Sequence, residues 1–197
     1  MNALATVDGY IDTRLDARVI KILPGEHQAL KARSRSGQPV LATTLGSCVA
    51  ACIYEESDAG IGGMNHFLLP SGDQASGRYG VYAMELLIND VLKLGARRDR
   101  LRAKVFGGGA VLAAVTSIDV GRQNATFVKR FLATEGIPIT GEDLMGPHPR
   151  KVLFFPATSE ARVRRLPLAH SLELADAEAR YRERVAQYQK PRVELFS

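Results

Sequence analysis

The sequence predicts an α+β fold, a layered α/β arrangement in which helices flank a mixed sheet. Three observations lead to this prediction. Short apolar runs of strand length recur between residues 17 and 155. Two other segments carry apolar residues at helical spacing. Strands and helices do not alternate regularly, as they would in a doubly wound parallel sheet. A chain of 197 residues is long enough for one such domain with tails.

The predicted strands follow from apolar runs that end at turn residues. A run over 17–23 stops at Pro24-Gly25, and a second strand is predicted over 39–45, before a turn at Gly46-Ser47. The further strand candidates are 48–54, 60–69 (ended by Pro70-Ser71-Gly72), 101–106, 137–140 and 151–155. A hairpin between 48–54 and 60–69 would bring Cys48 and His66 near each other.

The helices are predicted from periodicity and end signals. Apolar residues at helical spacing over 81–92 precede Gly95, a suitable residue just beyond a helix end. Asn124 is predicted to be the N-cap of a second helix that ends before Gly136. The domain organisation that follows is a loosely ordered N-terminus (1–16), one domain (17–165), and a helical or partly disordered tail (166–197). The apolar stripe of this tail is Leu174, Ala177, Tyr181, Val185 and Tyr188, and we expect it to be an appendage without a chemical role.

Composition and charge favour an ordinary cytoplasmic protein. The formal charge is +5, but basic and acidic residues are interleaved, and no nucleic-acid-binding pattern is present. No apolar run approaches the roughly 20 residues of a membrane helix, and no secretory signal is seen. There are only two cysteines, Cys48 and Cys52, and on one strand they would share a face, which disfavours a disulfide between them. Two cysteines and scattered histidines do not suggest a metal site.

Cys48 and His66 are the candidate reactive residues. Cys48 follows Gly46-Ser47 at the start of an apolar strand, where small residues allow close approach of a substrate. An imidazole beside a thiol favours the reactive thiolate. Taken alone, each residue has a simpler interpretation, a buried small hydrophobe for Cys48 and a core histidine for His66. The glycines 107–109 are expected to form a tight turn near the site, and Cys52 is expected to be core.

Several segments together resemble the chemoreceptor glutamine deamidases of the CheD family. They are Leu45-Gly46-Ser47-Cys48-Val49, Gly63-Met64-Asn65-His66-Phe67-Leu68-Leu69-Pro70, Lys104-Val105-Phe106-Gly107-Gly108-Gly109-Ala110, Ile118-Asp119-Val120-Gly121-Arg122-Gln123-Asn124, and Glu142-Asp143-Leu144-Met145-Gly146 before Arg150. The resemblance implies a single cysteine-hydrolase domain.

The same resemblance implies a catalytic set of Cys, His and Thr, in which Cys48 and His66 map directly. The family threonine lies six residues before the cysteine, where this chain has Ala42. Thr43 is therefore our choice for the third residue, with Thr44 as the alternative.

The implied reaction is hydrolysis of receptor glutamine side chains to glutamate with release of ammonia, in chemotaxis. Cys48 would form a thioester, backbone N–H groups of the 46–48 turn would stabilise the oxyanion, and His66 would transfer protons. No metal or organic cofactor is needed. The family also implies the CheC phosphatase as a possible partner. The alternatives are a non-catalytic receptor or phosphatase adaptor, and a different acyl transfer at the same site, such as receptor methylesterase or transglutaminase.

Overall fold

The computed structural model describes residues 9–33, 36–69, 74–110, 120–170, 174, 176–181 and 183. The strands are β1 (Gly9–Asp12), β2 (Ala17–Lys21), β3 (His27–Lys31), β4 (Gln38–Leu45), β5 (Val49–Glu55), β6 (Ile61–Asn65), β7 (Leu101–Gly107), β8 (Ile139–Leu144), β9 (Arg150–Phe155) and β10 (Glu160–Arg165). The helices are α1 (Gln74–Lys93) and α2 (Val120–Thr134), and residues 176–181 are also helical. No helix in these ranges is both long and apolar enough to cross a membrane.

The strands form two five-stranded sheets, and both sheets are mixed. The first sheet has the order β1-β2-β4-β9-β10, in which only β2 and β4 are parallel. The second has the order β3-β6-β5-β7-β8, in which only β7 and β8 are parallel. The predicted α+β class with a mixed sheet and flanking helices is confirmed, with two sheets where we expected one.

Two apolar layers hold the sheets and helices together. Alternate residues of β5 point to opposite faces, as the pleat of a strand requires. Cys52 and its same-face neighbours pack against Leu41 and Phe154 of the first sheet. Ile53 and its neighbours pack against α1 and α2 on the other side. The order of layers is therefore sheet, sheet, helices, and the two inner faces bury the apolar runs that the sequence shows.

The strand and helix predictions hold where the apolar pattern is strong. The 48–54 and 60–69 runs form the antiparallel pair β5–β6, with Cys52 opposite Met64. Helix α1 ends as predicted, because Gly95 has a φ of 100° and donates from its N–H to the carbonyl of Leu92 at 2.9 Å. Ala96 N–H reaches the carbonyl of Val91 at 3.4 Å, which completes a Schellman motif.

One prediction about a segment end is wrong. Asn124 is not an N-cap, because α2 already includes Val120 and Asn124 is fully buried inside the helix. Within the N-terminal segment predicted to be loosely ordered, β1 pairs with β2 over its whole length. Residues 1–8, the predicted stop at 70–72, and Val185 and Tyr188 lie outside the described residues.

Candidate active site

Cys48 and His66 lie on the same face of neighbouring extended segments. Val49 and Phe67 exchange both backbone hydrogen bonds, at 3.0 and 2.9 Å. This antiparallel bridge places Cys48 opposite Leu68 and makes His66 its diagonal neighbour, within reach of an aromatic ring. Cys48 and Leu68 pack in the same core cluster between the sheets, which agrees with that alternation. The hairpin predicted from sequence thus brings the thiol and the imidazole together.

Thr43 holds the other side of the imidazole. Its hydroxyl Oγ1 lies 2.8 Å from His66 Nδ1 and donates to the backbone carbonyl of Ile22, also at 2.8 Å. Because the hydroxyl proton is used on Ile22, Oγ1 accepts from Nδ1–H, and the Ile22 carbonyl, 3.4 Å from Nδ1, can only accept as well. Nδ1 therefore carries the proton, and Nε2 presents its lone pair. Among the described residues, none hydrogen-bonds to this buried Nε2.

The pleat of β4 explains why Thr43, and not Thr44, reaches the histidine. Leu41 and Leu45 point into the core between the two sheets, and Thr43 shares their parity. Ala42 packs in a separate cluster on the opposite face of the sheet. Thr44 shares the parity of Ala42 and is only half-buried. The geometry thus gives Thr43 the contact with His66 that we expected of it.

Three consecutive backbone N–H groups, those of Gly46, Ser47 and Cys48, converge on one point. Each donates to the carboxylate of Glu178, and each donor–acceptor distance is 3.1 Å. The Ser47 hydroxyl donates to the same carboxylate at 2.5 Å. Successive N–H groups that point into one concavity form an anion-binding nest. We call residues 46–48 the nucleophile turn.

The nucleophile turn keeps this orientation because its carbonyls are held from behind. Each of its three C=O groups accepts a hydrogen bond from a different donor outside the turn. In chain order, these bonds to the carbonyls of residues 46, 47 and 48 come from Gly109 N–H at 2.8 Å, Asn124 Nδ2 at 2.9 Å and Gly108 N–H at 2.7 Å. Because a residue's C=O and the N–H of the next residue point in opposite directions across one peptide bond, holding the carbonyls of Gly46 and Ser47 directs the N–H groups of Ser47 and Cys48 towards Glu178.

The glycines that anchor the turn have no room for side chains. Gly107 has a φ of 111°, and a Cβ there would lie 2.1 Å from the carbonyl oxygen of Cys48. Gly108 has a φ of 63°, and its Cβ would lie 2.7 Å from the carbonyl oxygen of Gly121 in α2. The tight turn expected over 107–109 therefore packs directly behind Cys48, and the backbones approach more closely than any side chain permits.

Arg150 fixes the far side of the glycine turn. Its guanidinium is 1% exposed and donates to the carbonyl of Gly107 at 3.0 Å. It also donates to the carbonyls of Asp143 and Met145, and pairs with the Asp143 carboxylate at 3.2 Å. A buried arginine with this many acceptors cross-links the loop before β9 to the end of β7.

Burial controls the charge of the histidine. Burial lowers the pKa of His66 to about 4, while the Glu178 carboxylate and the Ile22 carbonyl act in the opposite direction. At neutral pH the ring is therefore neutral and can accept a proton. Burial raises the pKa of the Tyr79 hydroxyl in α1, and charge on the nearby Cys48 raises it further.

A cavity of about 350 Å³ opens beside the histidine. Its wall includes Thr43 and His66, the basic residues Lys21 and Lys151, and Glu178. In the part of the chain that the structure describes, no group of three or more His, Cys, Asp or Glu side chains is placed to hold a metal ion. The lining itself supplies the Thr43 hydroxyl, the His66 imidazole and the Glu178 carboxylate, and that carboxylate accepts the hydrogen bonds of the nucleophile turn.

Sequence reasoning missed two side chains at this site. Asn124 was assigned to a helix end, but it donates to the nucleophile turn and accepts from Leu69 N–H at 2.8 Å. Glu178 lies in the tail that we treated as an appendage without chemistry, and its carboxylate accepts the N–H groups of the nucleophile turn. A polar side chain on the apolar stripe of a helix is the signal that could have drawn attention to Asn124. Glu178 is 130 residues from Cys48, and no local pattern connects them.

A thiol and an imidazole next to a nest of backbone N–H groups are the equipment of a cysteine hydrolase that acts on acyl groups. Comparisons with known proteins give the family. A family model described as "CheD chemotactic sensory transduction" matches residues 68–165. The chain belongs to the CheD family.

Curated relatives cover nearly the whole chain. A protein of Xanthomonas campestris pv. campestris (strain B100), named "Probable chemoreceptor glutamine deamidase CheD", is 52% identical over 180 residues, which are 90% of this chain and 88% of that protein. Relatives with the same name from Cupriavidus pinatubonensis and Paraburkholderia xenovorans are 53% and 47% identical, over 80% and 95% of this chain and 73% and 78% of those proteins. A solved Neisseria meningitidis protein of family DUF152 is similar with a TM-score of 0.41 and 10% identity, over 68% of this chain and 64% of that chain.

Proposed function

We propose that this protein hydrolyses the side-chain amide of glutamine residues in chemoreceptors, converting them to glutamate and releasing ammonia. Cys48 is the nucleophile, His66 the general base and acid, and Thr43 the residue that orients His66. The substrate is that named for the relatives from Xanthomonas, Cupriavidus and Paraburkholderia. The observation that carries the proposal is the convergence of three backbone N–H groups beside Cys48.

The first half of the reaction forms the thioester. Neutral His66 takes the thiol proton on Nε2, and the Cys48 sulfur attacks the amide carbon. The carbonyl oxygen becomes an oxyanion, and the N–H groups of the nucleophile turn are directed at one point where such an oxygen can be held. One donor of this kind typically contributes about 3–4 kcal/mol to transition-state stabilisation. His66 then gives its proton to the nitrogen, the C–N bond breaks, and ammonia leaves.

The second half hydrolyses the thioester. Neutral His66 removes a proton from water, and the hydroxide attacks the thioester carbon through a second oxyanion in the same nest. The C–S bond breaks, the sulfur regains a proton, and glutamate is released. Throughout, the contact between Thr43 Oγ1 and His66 Nδ1 keeps the proton on Nδ1, so that Nε2 stays available.

The cavity charge supports a protein substrate with acidic surroundings. Lys21 and Lys151 line the cavity beside His66, and the whole chain has a formal charge of +5. Complementary charge mainly accelerates encounter and orients the partner. A CheC phosphatase partner and a cytoplasmic location stay predictions from the sequence.

Mass spectrometry of a chemoreceptor cytoplasmic fragment tests the proposal. The fragment is incubated with the wild-type protein, with Cys48→Ala, or with Cys52→Ala as the matched control. We expect conversion of Gln to Glu, with ammonia released, by the wild type and by Cys52→Ala only. Methanol release from a methylated fragment without change at Gln would indicate a methylesterase. Binding of the fragment without any conversion would indicate an adaptor.

A further inference from the structure

The nest beside Cys48 already holds a ligand, and that ligand is part of the same chain. Glu178 is 3% exposed, although glutamate is among the residues least often buried. Its Oε1 accepts from the N–H groups of Gly46 and Cys48, and its Oε2 accepts from the N–H and hydroxyl of Ser47. Both carboxylate oxygens are therefore satisfied entirely by the nucleophile turn.

Neighbouring residues seat the C-terminal helical segment (174 and 176–181) around this contact. Tyr181, three residues after Glu178 and so on the same face of the helix, is 8% exposed. Its hydroxyl is hydrogen-bonded to that of Tyr79 in α1, and its ring lies against Gly25, where a Cβ would be 2.3 Å from the hydroxyl oxygen. On the other side, Leu174 and Ala177 line the cavity beside His66. The segment thus covers the candidate active site through several side chains.

Glu178 has the same side chain as the product of the proposed reaction. A glutamate side chain is what remains after a glutamine side chain has been deamidated. Glu178 places such a side chain, carried on a helix, against the N–H groups proposed to hold the oxyanion. Its charge also acts on His66, where it raises the pKa against the effect of burial. These are the neighbours that the product of the proposed reaction would have before release.

We propose that the C-terminal helical segment is an intramolecular ligand of the active site, in which Glu178 occupies the product position and competes with substrate. The site therefore recognises a Glu or Gln side chain presented by a helix. Substrate can bind to the nest only after Glu178 has left it, because Glu178 accepts hydrogen bonds from all three N–H groups. This inference rests on the proposed function.

Glu178→Gln gives the sharpest test, because it converts the internal product into an internal substrate. The Cys48 sulfur would attack the side-chain amide carbon of residue 178, ammonia would leave with a proton from His66, and water would release the thioester as a glutamate. Peptide mass spectrometry of the purified variant reads the exchange of NH₂ for OH at this position. Two variants are the controls: Glu178→Gln with Cys48→Ala, and Glu183→Gln, at an exposed position of the same helical stretch.

We expect glutamate at position 178 in the single variant, glutamine in the Cys48→Ala background, and glutamine at position 183. The conversion rate should not depend on protein concentration, because the reaction is intramolecular. Glutamine retained at 178 by an enzyme that still deamidates a receptor fragment would overturn the inference and leave the proposed function intact. If the variant deamidated neither the glutamine at position 178 nor the receptor fragment, the proposed function would be contradicted, and the inference that rests on it as well.

Kinetics with the receptor fragment supply a second readout. Glu178→Ala should lower KM about tenfold with little change in kcat, the factor expected when the open form is about a tenth of the wild-type population. Glu183→Ala should leave both constants unchanged. An unchanged or higher KM in a folded Glu178→Ala protein would contradict competition by Glu178.

Discussion

The two cysteines of this chain lie four residues apart on one face of the same strand region, yet their surroundings differ completely. Both are fully buried in the core between the sheets, and neither forms a disulfide. Cys52 lies in the middle of β5, flanked across the ladder by Met64 and Lys104. Burial raises the pKa of its thiol well above the usual range, and Lys104 offsets this only in part.

Cys48 lies where the ladder ends. The last β5–β7 pair is Val49 with Gly107, so the position beside Cys48 is occupied by glycine backbone, and a diagonal neighbour is His66. Its own N–H belongs to the nest. Both thiols are equally buried, so burial alone does not identify the nucleophile. A base and a nest of backbone N–H donors, which the Glu178 carboxylate occupies, distinguish the candidate nucleophile.

The largest effect expected from this comparison concerns the two sulfurs themselves. Cys48→Ala should lower deamidation by roughly 10⁴-fold or more, the scale seen when a catalytic nucleophile is removed. Cys52→Ala should retain activity, because Cys52 touches none of the reacting groups. Rates on a receptor fragment, with thermal unfolding to show that both variants fold, measure the difference. Equal losses of deamidation activity in the two variants would contradict the assignment of Cys48 as the nucleophile.

His66 should have the next largest effect. His66→Gln removes the group that moves protons at Cys48, and we expect a loss of about 10²–10⁴-fold in kcat. His170→Gln is the matched control, because His170 is exposed and does not line the cavity beside His66. If His66→Gln kept near wild-type kcat across pH 6–9, the imidazole would not be the proton carrier.

Thr43 and Thr44 offer a smaller and sharper contrast on one strand. Thr43→Val removes the hydroxyl between His66 Nδ1 and the Ile22 carbonyl, so the ring loses its fixed tautomer. We expect about a tenfold fall in kcat, the worth of one good hydrogen bond. Thr44→Val should change the rate less than about twofold, because the hydroxyl bonded to His66 is that of Thr43 and Thr44 only lines the cavity. The comparison is made by kcat and its pH profile, and a larger effect at Thr44 would make Thr43 the wrong assignment.

Local pattern in the sequence was enough for the central strands. Strand β5 is buried at every residue, and β4 and β7 are buried over most of their length, so their apolar runs can be recognised in one sequence. Strands β3 and β10 were missed because their residues are mostly half-buried or exposed and lack an apolar run. The Thr43 assignment had to be chosen between neighbours, since only the parity of β4 within the sheet separates Thr43 from Thr44.

Long-range contacts lay beyond sequence reasoning. Asn124 reaches Ser47 across 77 residues, and Glu178 reaches Cys48 across 130. The apolar stripe of α2 marks Asn124 as unusual, but no local pattern identifies its partner or that of Glu178, and only the packed tertiary structure reveals them. The signals that did carry information, glycines 107–109 and Gly46-Ser47, mark places where backbones approach each other closely.

The last expected effect is on the free energy of unfolding, and it separates the two cysteine surroundings by their response to acid. Burial lowers the pKa of His66 to about 4, whereas an imidazole in the unfolded chain titrates near 6.5. Below pH 6.5 the unfolded chain therefore binds more protons than the folded one, and stability falls until the pH reaches about 4. The loss should be on the order of 2–3 kcal/mol. Urea unfolding between pH 7 and 4 measures it. His66→Gln should lose less stability than the wild type by that amount, while His170→Gln and Cys52→Ala should follow the wild-type slope, because neither alters the buried imidazole. Parallel slopes for the wild type and His66→Gln would mean that the histidine is not held neutral by burial beside Cys48.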